Sequence, residues 1–463
     1  MSVYERYHIQ AEPAPNRAGH PNRFVVRVDR AKLFALLVRE LIRYRGDLKV
    51  VLSRPCIYGV FSGPVGGMLP RPHMCVGCLR CTVQYPDMVR VLPNPSRSGW
   101  GESSLSADGI DTILYEASTG RVPVRGAGYR GLFGGPGWDG MWTDMSEIVR
   151  PTRDGIHGRE FISTSVDLGA RPDFLEFDDR GAVRGSAPCV VRLPIPFLFE
   201  AMPASIESTQ LYRTLAAAAA RLKSIAIVPL PYANDNILAP APHVAPLVGT
   251  TEIDSAIGRS SAPRMAELDK WDAEAYTRLS RAWPGAVLAV RSSSVSEVGA
   301  LAERGIPLVH LAADYGGRFD GRFIGEALRA VHDDLVNLRM RERLTLIVSG
   351  GIHAAEHVPK ALICGADAVA IDLPLAAALQ AEAVGPVTSR ERAGLRLAPF
   401  PSSWGVQRVV NLIGSWRDQL LEVMGAMGLR EVRRLRGEIG RAMFADELER
   451  EAFAGIEGFG VES

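Results

Sequence analysis

Residues 344–379 read LTLIVSGGIHAAEHVPKALICGADAVAIDLPLAAAL, and this stretch decides the fold. Two apolar runs, at 344–348 and 368–371, flank a helical segment near 354–363. Continuous apolar runs of that length suit parallel strands buried on both faces, and strand–helix–strand order makes a βαβ unit. The alternation extends back to about residue 189. CVVRLPIPFLFEA, SIAIVPL, HVAPLV, AVLAVRSS and PLVHLAAD alternate with helical stretches near 209–223, 272–282, 295–304 and 324–339. About seven such strands in under 200 residues predict an α/β fold, a (β/α)8 TIM barrel over 189–385, in preference to a doubly wound sheet.

The punctuation of the quoted stretch points to a ligand. Ser349, Gly350 and Gly351 end one strand, and Gly365 and Ala366 precede the next. Glycines there let backbone N–H groups approach a phosphate, and barrels of this kind hold phosphates near their last two strands.

Ahead of the barrel lies CVGCLRC, with Cys75, Cys78 and Cys81 at two-residue intervals, and eighteen residues separate it from Cys56. C-x2-C-x2-C places three thiolates of an iron–sulfur cluster on one loop. Tyr85-Pro86 occupies the place of the Cys-Pro that bacterial ferredoxin loops carry. Cys56 is therefore the candidate fourth ligand of one 4Fe–4S cluster. A four-cysteine zinc site or free thiols are the alternatives, though zinc usually pairs two separate knuckles. Cys189 and Cys364 read as plain core residues.

The rest of the chain divides around these features. Residues 1–50 read as an arm, a strand and an amphipathic helix, 51–100 as the iron–sulfur region, and 101–188 as a connection of no assigned architecture. Residues 386–463 read as a helical tail breaking near Gly428. Lys and Arg number 53 against 52 Asp and Glu, a balance that argues against nucleic-acid binding. No apolar leader opens the chain and no run of eighteen apolar residues occurs, so no membrane role and a cytoplasmic location are expected.

Three stretches carry a family resemblance. VSGGI followed by KALICGADAVAI resembles the FMN-binding barrel of the glutamate synthase family, and IPLVHLAADYGGRF resembles that family's strand-six segment. The tail NLIGSWRDQLLEVMGAMGLREVRRLRG is similar to the helical segment after that barrel. With a cysteine region ahead of the barrel, the resemblance is to archaeal-type and N-methylglutamate synthase-related members. It spans roughly 190–440. The resemblance implies FMN, with Ser349, Gly350, Gly351, Gly365 and Ala366 around its phosphate and Asp314, Gly316 and Gly317 at the flavin or substrate face. Arg291 would stand as a cation near the reduced flavin, and His353 would approach flavin or substrate.

The implied function is an iron–sulfur flavoprotein oxidoreductase, moving electrons between a 4Fe–4S cluster, FMN and a small amino- or imino-acid substrate. No Gly-x-Gly-x-x-Gly follows a strand, so electrons are expected to pass to or from a protein partner or partner subunit, in an oligomer. Arg150 and Arg153, in WTDMSEIVRPTRDGIHGREF with Asp144, Glu147, His157 and Arg159, read as an anionic-substrate clamp or as a salt-bridged loop. The chain also departs from the family. The cysteines after the barrel and the glycine-rich signatures of strands one to four are missing, and Asp372 lies near the expected phosphate, where a carboxylate repels a dianion. The alternatives are a flavin-free assembly or electron-relay subunit and a barrel enzyme acting on a phosphorylated substrate.

Overall fold

The computed structural model describes residues 7–53, 56–62, 67–103, 105–123, 134–143, 162–170, 177–184, 189–233, 241–258 and 262–456. Its centre is a closed barrel of eight strands. In chain order they are Phe197–Phe199, Ala226–Pro229, Val244–Val248, Met265–Leu268, Val287–Ser292, Leu308–Ala312, Thr345–Ser349 and Ala368–Ile371. Every pairing is parallel, and the last strand closes on the first through Val369↔Phe197 and Ala370↔Leu198. Seven of the eight strands match the apolar runs. The additional one, Met265–Leu268, carries Glu267 in its interior, which breaks the apolar pattern although the side chain is fully buried.

The helices between strands begin where side chains satisfy the free N–H groups of a first turn. Ser208 caps Thr209–Leu222 by accepting from the Leu211 N–H, and Asp272 caps Ala273–Ala282 by accepting from Ala275. Thr209–Leu222 buries Leu211, Leu215, Ala218, Ala219 and Leu222 at helical spacing, the stripe that seats it on the barrel wall.

The connecting region contributes Ala107–Thr119, a helix packed against the long helix Ser402–Ala426. Glu116 is buried between them and accepts from Trp416 Nε1 at 2.9 Å, Gln419 Nε2 at 2.6 Å and Ser415 Oγ at 3.2 Å. Burial pushes its carboxyl up to about 7 in spite of those three donors. The tail breaks at Gly428, whose φ is +71°, and continues in short turns before Ala445–Phe453. The N-terminal arm lies across the long helix. Arg408 donates to Ala14 O at 2.7 Å, Asn411 Nδ2 donates to Glu12 O at 2.7 Å, and Trp404 Nε1 donates to Pro15 O at 2.8 Å.

A small lobe carries the cysteines. Phe24–Val28 pairs antiparallel with Val89–Pro93, and the helix Arg30–Arg43 packs Leu33 onto a core of Val26, Val60, Phe61, Met88 and Val89. No described helix is long and apolar enough to cross a membrane.

Candidate active site and cysteine centre

Parallel strands bring all their C-terminal ends to one rim, where barrels carry their chemistry. Ionisable side chains cluster there. Arg291, from the fifth strand, donates Nε to Glu267 Oε1 at 2.5 Å and Nη2 to Glu200 Oε1. His310, on the sixth strand, places Nδ1 2.8 Å from Glu267 Oε1 and Nε2 2.9 Å from Ser349 Oγ. Glu200 Oε2 stands 3.4 Å from the same Nε2. All of these groups are buried except the partly covered Arg291.

Burial alone would push the Glu267 carboxyl up. The Arg291 guanidinium and His310 more than offset it, holding the acid down at about 2. Asp372, the first residue after the eighth strand, behaves oppositely. Burial pushes it up to about 7, and the Glu200 carboxylate adds to the rise, against the lowering effect of the Leu373 and Gly350 N–H groups. Its Oδ1 accepts from Leu373 N at 2.6 Å. Tyr315 is buried beside the same two acids, which together with burial hold its phenol well above the usual range. Residues 388–390 pass over this mouth. Thr388 O accepts from Tyr315 N at 2.8 Å, and Arg390 O accepts from Ala204 N at 2.9 Å.

The expected residues divide into two groups. Arg291, Asp314, Gly316, Gly317, Ser349, Gly350 and Gly351 belong to the loops and strand ends of this rim. Gly350 and Gly351 have φ of +86° and +68°. A Cβ at Gly351 would lie 2.6 Å from Gly317 Cα, and one at Gly350 would fall on the carbonyls of Ala313 and Asp314. The two glycine pairs thus meet backbone to backbone. Asp314 spends its carboxylate within its own loop, accepting from Gly316 N at 3.0 Å and Arg318 N at 2.8 Å.

Gly365 and Ala366 require a correction. They precede the eighth strand, so they lie at the opposite end of the barrel from Gly350 and cannot share a phosphate with it. There Gly365 O accepts from Arg341 at 2.6 Å, and a Cβ on Gly365 would press into His332. His353 stands to the side of the mouth. Its backbone N–H donates to His357 Nδ1 at 3.2 Å, and His357 Nε2 is 3.2 Å from Asp139. Burial and His357 lower His353 to about 3, so its ring is neutral. Arg150, Arg153 and the charged residues around them lie outside the described residues.

Glu200, Glu267 and Tyr315 are the functional-site residues that sequence reasoning missed. The available signal was a carboxylate in or just after a buried run, at FLFEA and RMAELD, since a buried charge requires partners.

In the small lobe Cys56, Cys75, Cys78 and Cys81, all half-buried, line one cavity with Val26, Val60, Phe61 and Val91. Gly77 and Leu79 have φ of +71° and +56°, which lets the C-x2-C-x2-C loop fold around that cavity. Burial, and then the neighbouring cysteines, push the Cys75 thiol up; burial, and then Cys78 and Cys56, do the same to Cys81. No group of three or more His, Cys, Asp or Glu among the described residues is gathered to hold a single metal ion. Cys364 is buried with Sγ 3.8 Å from Met141 Sδ, whereas Cys189 is exposed and not the core residue expected.

Comparison with known proteins agrees with the quoted motifs. Residues 320–383 match the family described as "Conserved region in glutamate synthase". The archaeal-type glutamate synthase (NADPH) of Dehalococcoides mccartyi is 24% identical over 461 residues, covering 82% of this chain and 89% of the relative. The archaeal glutamate synthase (NADPH) of Archaeoglobus fulgidus is 24% identical over 496 residues, covering 89% and 94%. Among solved structures, the flavin-binding domain of baker's yeast flavocytochrome b2 aligns with 69% of this chain and 84% of its own. Its TM-score is 0.40 and its identity 16%, too distant to carry an argument. Along most of its length, then, the chain resembles the archaeal-type glutamate synthases, and it shares the family's conserved segment at 320–383.

Proposed function

We propose that the chain is an iron–sulfur oxidoreductase of the glutamate synthase type. In this reading its N-terminal lobe holds one 4Fe–4S cluster on Cys56, Cys75, Cys78 and Cys81. The single observation that carries the reading is the meeting of these four cysteines, from two separated segments, on one apolar cavity. Four sulfur donors around a dry pocket suit the thiolate ligation of a cluster. When bound, a cluster supplies one-electron transfer. The protein's part is to exclude water with Val26, Val60, Phe61 and Val91 and to hold the sulfurs on a rigid loop.

The resemblance to the glutamate synthase family implies FMN at the barrel mouth, and the residues present do not fit its phosphate. The Gly350 N–H, which a phosphate would take, already faces Asp372, and Asp372 itself caps Leu373. A dianion beside them would meet the buried Glu200 and an Asp372 whose ionisation burial already opposes, while the guanidinium of Arg291 is engaged by Glu200 and Glu267. What the mouth offers is acid–base chemistry. Asp372 holds its proton up to near neutral pH, Tyr315 stays protonated, and His310 links Glu267 to Ser349 in a buried chain. A small amino- or imino-acid is the substrate class such a chamber would take in a relative of glutamate synthases.

The closed phosphate corner also favours a second reading, an electron-relay or assembly subunit whose barrel carries no flavin. The test is the visible spectrum of anaerobically purified protein, with an iron count and acid release of cofactor. About four irons per chain support the proposal, and their absence refutes it. Released FMN would show that the mouth rearranges around Asp372 to admit the flavin. Iron without flavin, and without turnover of amino or 2-oxo acids, moves the conclusion to the relay.

A further inference from the structure

The cysteine lobe differs in charge from the rest of the chain. Residues 23–93 hold twelve Lys and Arg against four Asp and Glu, a net +8 in a chain whose total is +1, which leaves −7 for the remainder. Arg27, Arg30, Arg39, Arg43, Arg71 and Arg80 are among the exposed members of this set.

The same surface is apolar where a folded monomer has little reason to be. Helix Arg30–Arg43 buries Leu33 and rests Leu36 and Leu37 on the lobe core. Its other stripe exposes Phe34 (61%), Val38, Leu41 and Ile42 (75%), at i, i+4, i+7 and i+8. Ile57 and Val83, each within two residues of a cavity cysteine, are exposed at 82% and 79%. Between this helix and the segment after Cys81 runs a groove of about 440 Å³ whose lining includes Lys32, Leu36, Arg39, Tyr85 and Met88, with Asp87 its one acid. Exposed apolar residues gathered in a charged rim mark protein interaction surfaces.

We propose that this face docks a small acidic electron-carrier protein next to the cysteine cavity. The inference rests on the iron–sulfur reading of the four cysteines and names the partner that reading requires. Charge decides among occupants. A second copy docked lobe to lobe would bring +8 against +8, and a basic protein would be repelled, whereas an acidic carrier is steered onto the patch and held by its apolar centre.

The experiment is calorimetric titration of purified holoprotein with an acidic plant-type 2Fe–2S ferredoxin, with basic cytochrome c as the control. Binding is expected at 50 mM NaCl, at least about tenfold weaker at 300 mM, because the Debye length shortens about 2.4-fold over a surface of exposed charges. The surface double variants R39E/R43E and F34S/I42S are each expected to weaken it at least tenfold. Ferredoxin binding no tighter than cytochrome c, or left unchanged by both variants, overturns the proposal. So does a dimer in sedimentation that I42S dissociates. An iron count on the same sample separates the two levels: an iron-loaded protein that fails to bind sinks the docking face, and an iron-free protein that binds sinks the cluster reading.

Discussion

Replacing Asp372 by asparagine tests the barrel mouth most directly. The acid titrates near 7 in the folded chain against an ordinary 3.8, so its ionised form costs the fold about 4 kcal/mol. The sign follows from proton counting. Between those two values the folded state holds the proton more than the unfolded state does. This residue's effect is therefore absent below pH 3.8, destabilises progressively as pH rises, and levels off above 7. The amide introduced by D372N has no titrating proton, and its oxygen still accepts from Leu373. The advantage of D372N over the parent is expected to grow by about 3 kcal/mol between pH 5 and pH 8. Urea unfolding of both proteins at the two pH values measures it. Glu116, raised into the same window, is common to both and cancels. An advantage that stays constant within about 0.5 kcal/mol across that range would refute the assignment of Asp372 as a buried, proton-holding group. Above pH 7 the substitution also removes a charge from the phosphate corner, so D372N should raise the affinity for FMN relative to riboflavin in fluorescence titration at pH 8.

Three further outcomes are expected. R291Q leaves Glu200 and Glu267 buried without their cation and should cost about 3–5 kcal/mol. Because Glu267 is held down at about 2 from 4.5, the stabilising pair is complete above pH 4.5 and fades in acid. The R291Q defect, followed by thermal unfolding, should therefore shrink as pH falls towards 3. Single serine variants of Cys56, Cys75, Cys78 and Cys81 should each lower the iron content, whereas C189S at the exposed cysteine should leave it unchanged; colorimetric iron analysis decides. G350A forces a Cβ onto two carbonyls at a φ of +86° and should cost at least about 2 kcal/mol. G305A, at φ +76° with open space around it, should cost only the conformational part, about 1 kcal/mol.

The barrel was legible because its strands are buried on both faces and so write continuous apolar runs, as at SIAIVPL and LTLIVSGG. The one strand not foreseen, Met265–Leu268, shows the limit of that signal. Glu267 is neutralised by partners from other strands, Arg291 and His310, which no local pattern announces. Cys56 could be joined to the CVGCLRC loop by ligand counting, and the fold brings them to one cavity. Gly365 and Ala366 misled because sequence adjacency to a strand does not say which end of the barrel a loop occupies. Only strand direction does that. Asp314 and Asp372 were visible as acids near the rim, but their roles depend on which N–H groups they meet, and those are tertiary facts.

The arm laid across helix Ser402–Ala426 has a consequence for how the molecule is made. Glu12, Ala14 and Pro15 bond to Trp404, Arg408 and Asn411, with Ala14 and Arg408 separated by 394 positions in the chain. At a synthesis rate of about 5–20 residues per second, the arm leaves the ribosome roughly 20–80 s before its partners exist. For most of that interval the arm lacks this helix, although Ser118 O, which accepts from Ala14 N at 2.9 Å, is already made, and the basic, apolar cysteine lobe is complete in sequence from Pro93 onward. On the proposed cluster reading, delivery of iron and sulfide to the four cysteines thus has a window that opens long before the barrel can close and the arm can lock against helix Ser402–Ala426.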